Sequence, residues 1–141
     1  MSQPIKIALA TCSNLPDWEV DDTPFHRELQ SSGFEVLHPV WDEPSVCWSD
    51  FDVCLIRTTW DYSEKQIAFR EWIQQVSTQT KLLNPPSSVL WNLNKEYLFE
   101  LSEKGIPIAP SILWNPIQPI ETIIEKLSTL QSDMLFCKPV V

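Results

Sequence analysis

The sequence predicts an α/β domain in which a parallel sheet carries helices on both faces. Three observations predict it. Short apolar runs of strand length alternate with helix-period segments through the first hundred residues. Both glycines of the chain, Gly33 and Gly105, stand where a helix should end. A chain of 141 residues with 43% hydrophobic and 21% charged residues suits one compact globular body without a disulfide or metal staple.

The elements follow in order. Ile5 to Ala10 (IKIALA) reads as a buried strand, and a polar loop (TCSNLPDWEVDD) follows it. Thr23-Pro24 opens a helix, with the Thr23 hydroxyl as N-cap and proline at the first helical position; Gly33 stops it after Ser32. Phe34 to Leu37 is a second strand, residues 42–52 are irregular, and Asp52 to Arg57 is a third strand. Ser63 and Gln66 suggest a capping box at the start of a helix whose apolar face is Phe69, Trp72, Ile73 and Val76. Lys81 to Leu83 is a short strand ended by Asn84-Pro85-Pro86. One long helix is predicted from Ser88 to Lys104, burying Leu90, Leu93, Tyr97, Leu98 and Leu101. Residues 106–114 look extended, and the prolines from Pro107 to Pro119 suit a connection between domains. Ile120, Ile123, Ile124 and Leu127 mark a last helix, and Met134 to Cys137 a last buried strand that ends at Lys138-Pro139.

The net charge of −9, from 10 Lys+Arg against 19 Asp+Glu, argues against nucleic acid and against anionic membrane surfaces as partners. No stretch is long enough to span a bilayer, and no secretion signal opens the chain. Cys12, Cys47, Cys54 and Cys137 lack metal or redox spacing, so reduced thiols in the cytoplasm are expected, with Cys54 and Cys137 packed as small hydrophobes.

Glycine-dependent phosphate loops are excluded, because the two glycines are both spent on helix stops. His26 and His38 lie far apart in sequence and offer no metal-ligand spacing; His26 reads as a surface residue. A phosphate-accepting receiver domain has the same order of elements and a Lys-Pro like Lys138-Pro139. It needs acidic residues where this chain has Thr11-Cys12 and Arg57-Thr58, and the pair Asp21-Asp22 comes ten residues too late.

The stretch LIRTTWDYSEK changes from strand to site chemistry within one step. In a parallel sheet, ligands sit beyond the carboxyl ends of the strands, which is where Arg57, Thr58, Thr59, Trp60 and Asp61 fall, with Thr11 at the matching end of the first strand. Arg57 has two readings: an ion pair with a neighbour such as Asp61, or a rigid fork that takes a substrate carboxylate or phosphate. Trp60 and Tyr62 read as packing residues. Lys95 falls away from the buried stripe of its helix, and Lys138 closes an apolar strand with a charge that needs solvent or an anion.

Taken as an ordered set, RTTWDY, LNPPSSVLWNLNKEYLFEL, GIPIAPSILW and FCKPVV resemble the front half of an ATP-grasp ligase, the superfamily of D-alanine–D-alanine ligase and prokaryotic glutathione synthetase. The resemblance implies a Rossmann-like pre-ATP-grasp substrate domain over residues 1–106 and the beginning of the ATP-grasp domain over 107–141. It implies that Lys95 and Lys138 contact ATP phosphates, with Mg²⁺ as the counter-ion. Thr11, Arg57, Thr58, Thr59 and Asp61 would line the substrate side, with Arg57 the carboxylate anchor. Asn94 stands where relatives commonly carry Asp. The implied chemistry joins a carboxylate to an amine through an acylphosphate, by positioning and electrostatics and without a side-chain nucleophile.

The sequence ends at Val141, ahead of the family's phosphate-covering loop and acidic Mg²⁺ ligands. The expectation is a fragment or shortened gene product that binds ATP weakly, turns nothing over alone, and pairs with a C-terminal half or with a second copy. A non-enzymatic Rossmann-like or receiver-like binding module is the alternative.

Overall fold

The computed structural model describes residues 3–15, 22–130, 132 and 134–140. Half of the predicted polar loop after the first strand, residues 16–21 with Asp21 among them, and Val141 lie outside the described residues. The chain divides into two compact units, Met1–Leu90 and Trp91–Val141.

The first unit is built on a four-stranded sheet of β1 (Lys6–Thr11), β2 (Glu35–Leu37), β3 (Val53–Thr58) and β4 (Lys81–Leu82), in the order β2-β1-β3-β4. Every pairing is parallel. The chain steps outward in one direction from β1 to β2 and in the other from β3 to β4. Right-handed crossovers therefore place α1 (Thr23–Ser31) and α2 (Gln66–Gln79) on opposite faces of the sheet, as the alternation of elements predicts. β1 is buried almost throughout because it is flanked by strands on both sides and covered on both faces, so its side chains need no alternation.

Phe69, Trp72, Ile73 and Val76 are all buried, following the predicted helical spacing of α2. Trp72 meets Trp48, Trp41 and Phe69 with ring centroids 5.2, 5.8 and 5.3 Å apart, an aromatic cluster that anchors the segment after β2. Each such large side chain contributes about 1.5–3 kcal/mol on burial. Gly33 ends α1 at φ +89°, and Gly105 ends a later helix at φ +79°, left-handed positions that suit glycine.

Several local expectations are corrected. Asp22, not Thr23, is the N-cap of α1, and its carboxylate makes no bond to the helix, because it is committed elsewhere. The capping box at Ser63 does not form. Residues Trp60–Ser63 make a 3-10 turn, and Gln66 Nε2 donates back to the Ser63 carbonyl at 3.2 Å.

The single helix predicted over residues 88–104 is two helices, α3 (Pro86–Asn92) and α4 (Tyr97–Glu103). Asn94 Oδ1 accepts the Glu96 backbone N–H at 2.8 Å, a local bond that competes with the helical ladder and interrupts it. Of the residues predicted to be buried there, Leu93 is buried and Leu90, Tyr97, Leu98 and Leu101 are half-buried.

The second unit holds α4 and α5 (Ile120–Ser128). Met134 to Cys137 forms no strand, and Phe136 is 85% exposed. Cys137 is likewise exposed, whereas Cys12 and Cys54 are buried, and burial pushes the Cys54 thiol up to about 12. An apolar run becomes a strand only when another strand satisfies its backbone, and none pairs with it among the described residues.

Candidate functional site

The strand order reverses between β1 and β3, so their carboxyl ends flank the crevice in which open parallel sheets bind ligands. Thr11 closes β1 and Thr58 closes β3. Thr58 Oγ1 donates to Thr11 Oγ1 at 2.8 Å, and both residues are buried. The Thr11 backbone is also consumed: its N–H donates to the Pro39 carbonyl at 3.0 Å, and its carbonyl accepts from the Trp41 N–H at 2.9 Å. Thr59 is buried as well.

Asp61, 7% exposed, does not orient Arg57. Its carboxylate accepts Trp41 Nε1 at 2.7 Å and Lys65 Nζ at 2.7 Å, and Lys65 reaches Asp42 at 2.6 Å as well. Burial pushes the Asp61 carboxyl up, but the hydrogen bonds from Lys65 and Trp41 outweigh it and hold it below its ordinary value. The bonds to Asp42 and Asp61 raise Lys65 in turn. This network fastens the RTTWDY loop to the segment after β2.

Arg57 reaches the surface, with its side chain 41% exposed, and its fork is taken by Asp22, whose side chain is only 8% exposed. Nε donates to Asp22 Oδ2 at 3.1 Å, and a second nitrogen donates to Oδ1, a bidentate charge-assisted pair. The hydrogen bond to Asp22 raises Arg57 above its ordinary value. The Phe25 ring lies 5.3 Å from the guanidinium carbon and covers its apolar face.

Next to this pair are two imidazoles. His26 Nδ1 and His38 Nε2 share a hydrogen bond of 2.7 Å, with the rings stacked at 4.9 Å and half-buried. The histidines that looked unrelated in sequence are therefore partners. Burial lowers His38 to about 4, the charge of His26 adds to the shift, and Asp22 opposes it. Sequence reading missed Asp22, His26 and His38 as a cluster. His38 had a usable signal, since it follows β2 as directly as Thr58 closes β3; Asp22 and His26 had none. Among the described residues no group of three or more His, Cys, Asp or Glu converges in a way that could hold a metal ion.

In the second unit, Lys95 lies in the break between α3 and α4 rather than on a helix. Its backbone N–H donates to the Val140 carbonyl at 2.7 Å, which joins this turn to the segment carrying Lys138-Pro139. Lys138 is exposed. Of the predicted site residues, Thr11, Arg57, Thr58, Thr59 and Asp61 thus gather in the first unit, and the Lys95 and Lys138 segments in the second.

Fold and site together define a Rossmann-like α/β domain with an arginine–carboxylate pair at the end of β3 and a hydrogen-bonded pair of histidines from α1 and the end of β2. The chain belongs to the family of the D-cycloserine synthetase DcsG N-terminal domain, whose family model matches residues 7–84, more than half of it. The cycloserine biosynthesis protein DcsG of Streptomyces lavendulae is 34% identical over 110 residues, covering 78% of this chain and 37% of that protein. The crystal structure of D-cycloserine synthetase DcsG superposes with a TM-score of 0.75 at 26% identity, covering 88% of this chain and 42% of the other. The chain therefore spans well under half the length of these relatives. No helix among the described residues is long and apolar enough to cross a membrane.

Proposed function

We propose that this chain is the N-terminal part of an ATP-grasp ligase that joins a carboxylate to an amine through an acylphosphate. The observation that carries the reading is its 34% identity over 110 residues to the cycloserine biosynthesis protein DcsG. The solved relative is titled a D-cycloserine synthetase, and with Arg57 as a carboxylate anchor an amino-acid-like carboxylate is the substrate class proposed here.

In this reading the first unit holds the substrate and the second begins the nucleotide site. Arg57 is the carboxylate anchor, because a guanidinium fork matches two oxygens and already holds a carboxylate in this structure. The Thr11–Thr58 pair, Thr59 and Asp61 support the loop that presents Arg57. The bond from Lys95 N–H to the Val140 carbonyl supports a joint role for Lys95 and Lys138 as cations toward the phosphates of ATP. ATP supplies the phosphoryl group that activates the carboxylate. Mg²⁺ would accompany ATP, and no ligand to it is assigned among the described residues. The four free thiols fit the reducing cytoplasm, where we place the protein.

The test has two parts. Calorimetric titration of this chain with MgATP is expected to give affinity weaker than micromolar. The product of the complete reading frame is expected to release ADP when offered amino acids and small carboxylates, and to lose that activity in Lys138→Ala and Arg57→Ala. A complete product that neither binds ATP nor releases ADP would end the proposal.

A further inference from the structure

Asp22 holds only one edge of the Arg57 guanidinium. Nε donates to Asp22 Oδ2 at 3.1 Å and Nη2 donates to Oδ1, which uses two of the five N–H donors of an arginine. The second N–H of Nη2 and both of Nη1 are left, and no hydrogen bond occupies them among the described residues. Nη1 and Nη2 together form a second edge that matches the two oxygens of a carboxylate. The Arg57 side chain is 41% exposed and that of Asp22 only 8%, so the pair keeps its anion inside and leaves its cation within reach of a ligand.

Asp22 is committed to this contact. It stands at the N-cap of α1, where a carboxylate ordinarily accepts a helix N–H, and it makes no such bond. Together with Phe25, whose ring lies 5.3 Å from the guanidinium carbon, it fixes a side chain that is otherwise rich in rotamers. Its charge matters as much as its geometry. The Asp22–Arg57 pair is neutral as a unit, so a further anion is held by the hydrogen bonds of the outer edge and not by net charge. A dianion there meets twice the repulsion from Asp22 that a monoanion meets.

We propose that Asp22 is a positioning and selectivity residue, which aims the outer edge of Arg57 at a monoanionic carboxylate and disfavours phosphate-like dianions there. This rests on the reading of Arg57 as the carboxylate anchor. A ligase of the proposed class handles both a carboxylate and ATP, and an arginine fork without an acidic neighbour accepts either group. With Asp22 beside Arg57, the phosphates are left to other cations. Asp22 stays on the inner edge when the ligand binds, and no covalent bond is made or broken.

The experiment uses this chain at pH 7.5 with sodium formate and sodium sulfate as probes, at ionic strength matched with sodium chloride. Nitrogen NMR follows Nε and the two Nη atoms of Arg57. Formate is expected to shift the Nη signals saturably while Nε keeps its Asp22-bonded position, and to bind more tightly than sulfate. In Asp22→Asn the preference for formate over sulfate should fall about three- to tenfold, the effect of removing one nearby charge from a partly exposed site. Asp22→Glu, which restores the charge, should restore the preference. A merely structural role moves both affinities together and leaves their ratio alone. An unchanged ratio in folded Asp22→Asn, or sulfate that binds the wild type more tightly than formate, would therefore overturn the selectivity role and leave the anchor standing. Formate that drives Nε from its Asp22-bonded position in the wild type would overturn the shared occupancy, with no variant needed. Formate that moves no Arg57 signal in wild type or Asp22→Asn would overturn the anchor as well.

Discussion

Asp61 and His38 are single residues whose chemistry decides how the sheet edge holds together. Replacing Asp61 with Ala leaves Trp41 Nε1, inside the core, without its acceptor and Lys65 with one carboxylate instead of two. The expected loss is about 2 kcal/mol in urea unfolding, and Asp61→Asn should lose less because it can still accept from Trp41. His38 sets a pH dependence of the opposite chemical kind but the same direction. Its folded value, about 4, lies below the ordinary 6.5, so between those values the unfolded chain binds a proton that the folded chain refuses. Stability should fall as pH drops through that window. Thermal melting followed from pH 7.5 to 4.5 should decline less steeply in His38→Gln, and parallel curves would show that His38 does not set it. The sequence disclosed Arg57 and Asp61 as chemistry at a strand end and offered Asp61 as one possible neighbour for Arg57, whereas the partner in the structure is Asp22. Asp22 lies thirty-five residues from Arg57 in sequence, and only folding brings it there.

At the scale of elements, α2 was legible from spacing alone because four apolar residues at helical intervals leave one face to bury. Phe69→Ala should cost about 3–5 kcal/mol, since the side chain is 2% exposed and its ring meets Trp41, Tyr62 and Trp72. Gly33→Ala has space for the new methyl, with nothing within 4 Å, so its cost is backbone strain alone, about 1 kcal/mol. Chemical denaturation measures both, and a larger loss at Gly33 than at Phe69 would contradict this account of the element. The split between α3 and α4 was not legible, because Asn94 satisfies helix periodicity in sequence while its amide oxygen caps Glu96 in space. Asn94→Ala should remove that bond and weaken the first turn of α4 by about 0.5–1 kcal/mol, seen as faster hydrogen exchange at Tyr97 to Leu101.

The molecule as a whole is unevenly built. The first unit carries the sheet and nearly all of the buried apolar side chains, whereas the second exposes Met134, Leu135 and Phe136 and has no strand among its described residues. Local opening follows local burial, so amides in residues 106–130 and 134–140 should exchange orders of magnitude faster than those of β1 and β3. A fragment of residues 1–90 should keep the cooperative unfolding of the parent chain. Comparing the two by thermal circular dichroism checks this, and a fragment that melts without cooperativity would show that the sheet needs the second unit.

By itself the sequence determined the class of fold, where along the chain the four sheet strands fall, the buried face of α2 and the edge of the sheet where chemistry gathers. All of these follow from periodicity and turn chemistry, which act over a few neighbouring residues. Only the tertiary structure decided that Arg57 is held by Asp22, that His26 and His38 share a hydrogen bond, and that the run from Met134 to Cys137 finds no strand partner among the described residues. Those outcomes depend on which distant groups the fold brings within hydrogen-bond reach, and local pattern carries no record of that distance.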